Sequence, residues 1–77
     1  MNTDTLSISA ITGNEGSQKR RNDVINLYLK EHRGWFLWKL ERECTGLFES
    51  WTATFAKPDT LLDRRELVES QKALLGN

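Results

Sequence analysis

The sequence predicts an all-α fold: a three-helix, bundle-like small domain with a long central amphipathic helix and an N-terminal arm. Three observations favour this class. Apolar residues recur at steps of three and four over residues 35–57. Residues that begin or end helices stand on both sides of that segment. Only one short segment, near the N-terminus, has the two-residue period of a β-strand.

Residues 1–21 form the predicted arm. Leu6, Ile8 and Ala10 alternate with polar residues, a pattern typical of a strand. The glycines and polar residues of 13–17 then interrupt regular structure. Because the sequence offers no second strand-like segment, the arm is expected to be flexible, or to form a strand beside the same segment of another chain or beside a partner's sheet edge.

The predicted helical domain, residues 22–77, begins with a helix over residues 22–33. Asn22 is a favourable N-cap, and Gly34 is a favourable residue to end the helix. His32 is interpreted as a packed or helix-capping residue. The apolar face of this helix consists of Val24, Ile25, Tyr28, Leu29 and His32.

The second predicted helix spans residues 35–57. Cys44, in the middle of its apolar face, is expected to be a buried and unreactive thiol. Gly46 lies on the polar side, so an alternative is two shorter helices that meet at Thr45-Gly46. Pro58 ends the segment. The apolar face consists of Phe36, Leu37, Leu40, Cys44, Leu47, Phe48, Trp51 and Phe55.

The third predicted helix spans residues 60–75. Thr60 is its expected N-cap, with Asp63 in the place of the acid of a capping box, and Gly76 ends it. Arg64 interrupts the apolar face, so its charge is expected to meet a partner or to reach water.

Composition excludes several classes of site. The 77 residues suffice for one small domain, with eleven Lys and Arg against eleven Asp and Glu, which counts against a dedicated nucleic-acid binder. One Cys and one His cannot supply the four ligands of a closed zinc site. No catalytic or nucleotide-binding motif is present, so neither an enzyme nor a cofactor is expected. No membrane-spanning run or signal peptide is found, and a cytoplasmic location is expected.

The predicted function is protein–protein interaction. A chain this short is marginally stable alone and gains from oligomerisation, and the long apolar stripe exceeds what two short helices readily cover. The sequence therefore predicts a regulatory or adaptor protein that forms a homodimer and binds a partner protein through an aromatic, amphipathic helical surface. The residues assigned to that surface are Trp35, Phe36, Trp38, Trp51 and Phe55.

Two alternative functions remain open from the sequence. The first is a dimeric nucleic-acid-binding transcriptional regulator that uses the N-terminal strand and the basic run Lys19, Arg20 and Arg21. The second is a structural or assembly protein, for which the same amphipathic stripe would serve. By analogy, short chains of this type are often bacterial or phage accessory proteins.

Overall fold

A computed structural model describes residues 1–11 and 16–76, which form an α+β fold. A three-stranded antiparallel sheet of order β1-β3-β2 is covered on one face by two helices. The predicted all-α class is therefore wrong. The elements along the chain are β1 (Asn2–Ile11), α1 (Gly16–Glu31), β2 (Phe36–Thr45), β3 (Phe48–Lys57) and α2 (Leu61–Leu75).

A β-hairpin replaces the long helix predicted over residues 35–57. Strands β2 and β3 pair antiparallel up to Thr45 and Phe48, which leaves a two-residue loop, Gly46 and Leu47. Gly46 has φ 60°, a positive value of the kind that two-residue hairpin loops require and that glycine adopts without strain. The alternative of two helices meeting at this point is also wrong, because the glycine reverses the chain between two strands.

A β-bulge in β2 accounts for the helix-like step between Leu37 and Leu40 in this hairpin. The register shifts between Leu37 and Lys39, so Trp38 is an extra residue with no partner of its own on β3. Leu37 and Leu40 consequently lie on the same face of the sheet although they are three residues apart. A regular strand would give a step of two, and the bulge converts it into the step of three that is typical of a helix.

The N-terminal segment forms a strand within the chain. β1 pairs with β3 along its whole length, from Asn2 opposite Lys57 to Ile11 opposite Phe48. The predicted alternation of polar and apolar residues in β1 is present. The strand it pairs with, β3, lies in the segment 35–57 that was predicted to be a helix. Residues 16–21, placed by the sequence in the arm, are the first turns of α1.

The core lies between the sheet and the two helices. α1 contributes the fully buried Ile25, and Leu74 and Leu75 of α2 pack against the same cluster. Trp51, Ala53 and Phe55 follow the two-residue period of β3. The buried members of the cluster are Ile8, Ile25, Leu37, Trp51, Ala53 and Phe55.

The third helix forms with nearly the predicted bounds. The Thr60 hydroxyl accepts a hydrogen bond from the Asp63 amide at 3.1 Å, and Gly76 ends α2 with φ 73°. Leu67 is its one fully buried residue among the described positions. Neither helix of the described part of the chain is long and apolar enough to cross a membrane.

Candidate interaction surface

The sheet has two edge strands, β1 and β2, because β3 lies between them. On the side away from β3, the backbone N–H and C=O groups of an edge strand can hydrogen bond to a strand of another chain. Folded proteins usually protect such edges with bulges, charged side chains or a covering helix. The two edges of this sheet differ sharply in these features.

The edge of β2 is protected in three ways. α2 lies beside the strand, and the Gln71 side-chain oxygen accepts a hydrogen bond from the Leu37 amide at 3.0 Å. The bulge at Trp38 interrupts the regular ladder, and the Lys39 ammonium lies 4.5 Å from the Trp38 ring centre. Four charged side chains follow the bulge or flank it: Lys39, Glu41, Arg42 and Glu43.

Within the described residues, the edge of β1 lacks the bulge, the run of charges and the side-chain hydrogen bond to a strand amide that protect β2, and α1 contacts β1 less extensively than α2 contacts β2. We call the side of β1 that faces away from β3 the β1 edge. The ten residues Asn2–Ile11 pair with β3 without a register shift and contain no proline. Asp4 is the one charged side chain in the strand. In the described part of the chain, β3 is the only strand that pairs with β1. The β1 edge is thus a long, regular and nearly uncharged hydrogen-bonding surface.

Two faces border the β1 edge. On the face away from the helices, the polar side chains of β1 are short and exposed, and this face continues onto β3 as the exposed Thr52 and the half-buried Ser50 and Thr54. On the helix face, Leu6 and Ala10 are half-buried and Ile8 is buried. The exposed polar residues of β1 on the face away from the helices are Thr3, Thr5, Ser7 and Ser9.

Tyr28 and Asp4 fasten the start of β1 to α1. The Tyr28 hydroxyl donates a hydrogen bond to the Asp4 carboxylate at 2.9 Å, and the Tyr28 ring stacks on Phe55 with 3.8 Å between centres. Burial, and next the adjacent Asp4, raise the pKa of Tyr28 to about 12. The carboxylate of Asp4 is therefore engaged on the helix side of the sheet.

His32 belongs to the same group of rings. It lies on the opposite side of Tyr28 from the core, with 3.9 Å between ring centres, and its side chain is exposed. Its Nδ1 lies 2.9 Å from the Tyr28 carbonyl oxygen, in the last turn of α1. These contacts are those of a packed residue at a helix end.

Glu49 joins the other end of the sheet to the start of α1. Its buried carboxylate accepts hydrogen bonds from the Ser17 hydroxyl at 3.0 Å and from the Arg42 guanidinium at 2.7 and 3.1 Å. The hydrogen bond from Arg42 is the largest cause of the lowered pKa of Glu49, and it raises the pKa of Arg42. The carboxylate thus cross-links three elements.

Cys44 lies beside this cluster, with its sulfur 3.8 Å from the Glu49 carboxylate. The side chain is exposed, so the prediction of a buried thiol is wrong. The reason is that Cys44 is near the end of the edge strand β2, where residues 41–45 are all exposed.

The five aromatic residues assigned to a binding surface do not form one exposed surface. Trp51 and Phe55 are buried in the core, with 2% and 0% of their surface exposed. Trp35 packs against that core, and Trp38 is half-buried at the bulge. Phe36 lines an open groove of about 330 Å³, whose other lining residues are Gly34, Lys57, Pro58 and Arg64.

The basic run lies on the first turns of α1. Lys19 and Arg20 are exposed. The Arg21 guanidinium lies 5.5 Å from the Trp51 ring centre and donates hydrogen bonds to the Asn22 side-chain oxygen. Arg21 is therefore used in packing α1 onto the sheet.

Sequence reasoning missed the most exposed apolar residues. Leu47 and Phe48, predicted in an apolar stripe, are 76% and 63% exposed at the tip of the hairpin. Leu61 and Leu62 are 83% and 76% exposed at the start of α2. The Thr45-Gly46 pair was the available signal for the tip, since a glycine between two apolar segments is typical of a hairpin turn.

Within residues 1–11 and 16–76, no three His, Cys, Asp or Glu side chains are grouped so as to hold a metal ion. Comparison with known protein families, with curated proteins and with solved structures finds nothing that matches this chain.

Proposed function

We propose that this protein is a non-enzymatic protein–protein interaction module that binds another polypeptide through the β1 edge. One observation carries the proposal: of the two edges of the sheet, the β2 edge is protected and the β1 edge is not. Unprotected edges of this length are avoided in proteins that work as isolated chains, because they promote association. A strand from a partner polypeptide can pair with such an edge through backbone hydrogen bonds.

Both the backbone and the side chains of β1 contribute to binding. Backbone hydrogen bonds supply affinity, each worth about 0.5–1.5 kcal/mol net. The side chains that flank the edge supply selectivity: a partner strand needs small polar residues on the open face and apolar residues beside Leu6 and Ala10. The helical surface predicted over residues 35–57 has no part in this function, because those residues form the hairpin.

A charge placed at the β1 edge tests the proposal. Ser7→Lys introduces an ammonium group at an exposed position midway along β1, where it disfavours an added strand as edge lysines do in other sheets. Thr52→Lys is the matched control. Thr52 lies opposite Ser7 on the central strand and is also exposed. A lysine there places the same charge on the same face, away from the edge.

The measurement is affinity capture from extracts of the source cell, with tagged wild type, Ser7→Lys and Thr52→Lys, and with the retained proteins quantified by mass spectrometry. We expect at least one polypeptide to be retained by the wild type and by Thr52→Lys, and to be lost with Ser7→Lys. Equal retention by all three chains would show that binding does not use the β1 edge.

A further inference from the structure

We infer that the strand added at the β1 edge is β1 of a second copy of this chain, antiparallel and centred on Ser7. The inference rests on the proposed function, because it names the partner of the same edge. The product is a continuous six-stranded sheet with the helices of both copies on one face. A twofold axis perpendicular to the sheet relates the copies.

The alternation along β1 is self-complementary about Ser7. In such a pair, residues equally far before and after Ser7 lie opposite one another, and opposed residues share a face of the sheet. Ser7 then meets Ser7 of the mate, and Thr5 meets Ser9, all short polar residues on the open face. On the helix face, Leu6 meets Ile8, which extends the apolar layer across the interface.

The charge distribution along β1 is also compatible with this pairing. Asp4, the one charged residue of β1, lies opposite Ala10 of the mate. The two copies of Asp4 are then about 20 Å apart, six residues at about 3.3 Å each, which exceeds the screening length at physiological salt. Each Asp4 carboxylate is moreover hydrogen bonded to its own Tyr28. No like charges oppose one another along the added pair of strands.

The length of β1 and the position of Asp4 together select this centre. Pairing about Ser7 overlaps residues 3–11 of both copies, nearly the whole of Asn2–Ile11. A pair centred on Leu6 would overlap residues 2–10, equally many, but would place the Asp4 carboxylate opposite the buried, apolar Ile8 of the mate. Centres at Thr5 or Ile8 shorten the overlap to seven residues, so fewer backbone groups are paired. Self-pairing also removes two unprotected edges at once, one from each copy, whereas any other partner removes one.

Disulfide trapping tests the register. In a Cys44→Ser background, Ser7→Cys places a thiol at the centre of the symmetric pair. Directly opposed residues of antiparallel strands have Cα atoms about 4.5–5.5 Å apart, within the range that a disulfide spans. We expect mild oxidation to convert this variant into a covalent dimer.

Three further variants are the controls. Thr52→Cys, on the central strand, would stand about 14 Å from its copy across three strand spacings and should stay uncross-linked. Ser9→Cys alone faces Thr5 of the mate and should also stay uncross-linked. The double variant Thr5→Cys with Ser9→Cys should give a covalent dimer, which tests the register independently of Ser7.

Sedimentation equilibrium of the purified, reduced wild-type chain supplies the mass. We expect two chains for the wild type and for Thr52→Lys, and one chain for Ser7→Lys. A mass of one chain at every concentration would overturn self-pairing. A dimer that leaves Ser7→Cys uncross-linked would overturn the register. Either result is distinct from failure of the proposed function, which is judged by whether Ser7→Lys loses a captured polypeptide of any kind.

Discussion

At the scale of single residues, Tyr28 of α1 holds the start of β1 in place. Its hydroxyl is hydrogen bonded to Asp4, and its ring stacks on Phe55 in the core. The raised pKa of Tyr28 reflects a phenol that is stable in its neutral, hydrogen-bonding form. A residue on α1 thereby holds the edge strand without occupying the β1 edge itself.

Replacement of Tyr28 by phenylalanine measures how much the hydrogen bond to Asp4 contributes to stability. The ring and its stacking remain, and the hydrogen bond is lost, so the free energy of unfolding in urea should fall by about 1 kcal/mol at neutral pH. A raised pKa in the folded state contributes stability below the unfolded value of 10, and that stability is lost as the pH rises through about 12. The difference between wild type and Tyr28→Phe should therefore shrink between pH 10 and 12. A difference in unfolding free energy that stays constant from pH 10 to 12 would contradict the raised pKa assigned to Tyr28.

At the scale of elements, the hairpin and its bulge determine both the fold class and the choice of edge. The bulge at Trp38 gives β2 a helix-like step of three residues from Leu37 to Leu40 and also disrupts the edge of β2. The turn at Gly46 was visible in the sequence as a break, but a break alone does not distinguish a helix end from a hairpin. That distinction depends on β1, which lies far away in sequence and pairs with β3.

The hairpin turn depends on the positive φ of Gly46. Gly46→Ala meets no steric contact, since nothing lies within 4 Å of an added Cβ, but it forces a backbone conformation that alanine rarely adopts. We expect a loss of about 1–2 kcal/mol in the free energy of unfolding. Gly46→Asn, in which the side chain tolerates positive φ better, should lose less. Equal losses for both variants would show that the backbone conformation is not the cause.

At the scale of the whole molecule, the chain has 77 residues and a small core, and chains of this size are marginally stable alone. If two copies share one sheet, folding is coupled to association, and the melting temperature rises with protein concentration. We expect this dependence for wild type and Thr52→Lys, measured by circular dichroism over a wide concentration range. Ser7→Lys should melt at a temperature independent of concentration. A wild-type melting temperature without concentration dependence would contradict coupled assembly.

Interactions between residues close in sequence were sufficient to predict α2, because its cap at Thr60 and its terminal Gly76 involve neighbours within about one helical turn. It was also sufficient for the breaks at Gly34, Gly46 and Pro58 and for the strand period of β1. The fold class, the exposure of Phe48 and the contrast between the two edges were not predictable in this way. They follow from pairing between segments distant in sequence and from one extra residue at Trp38, and a periodicity taken from a single segment contains neither.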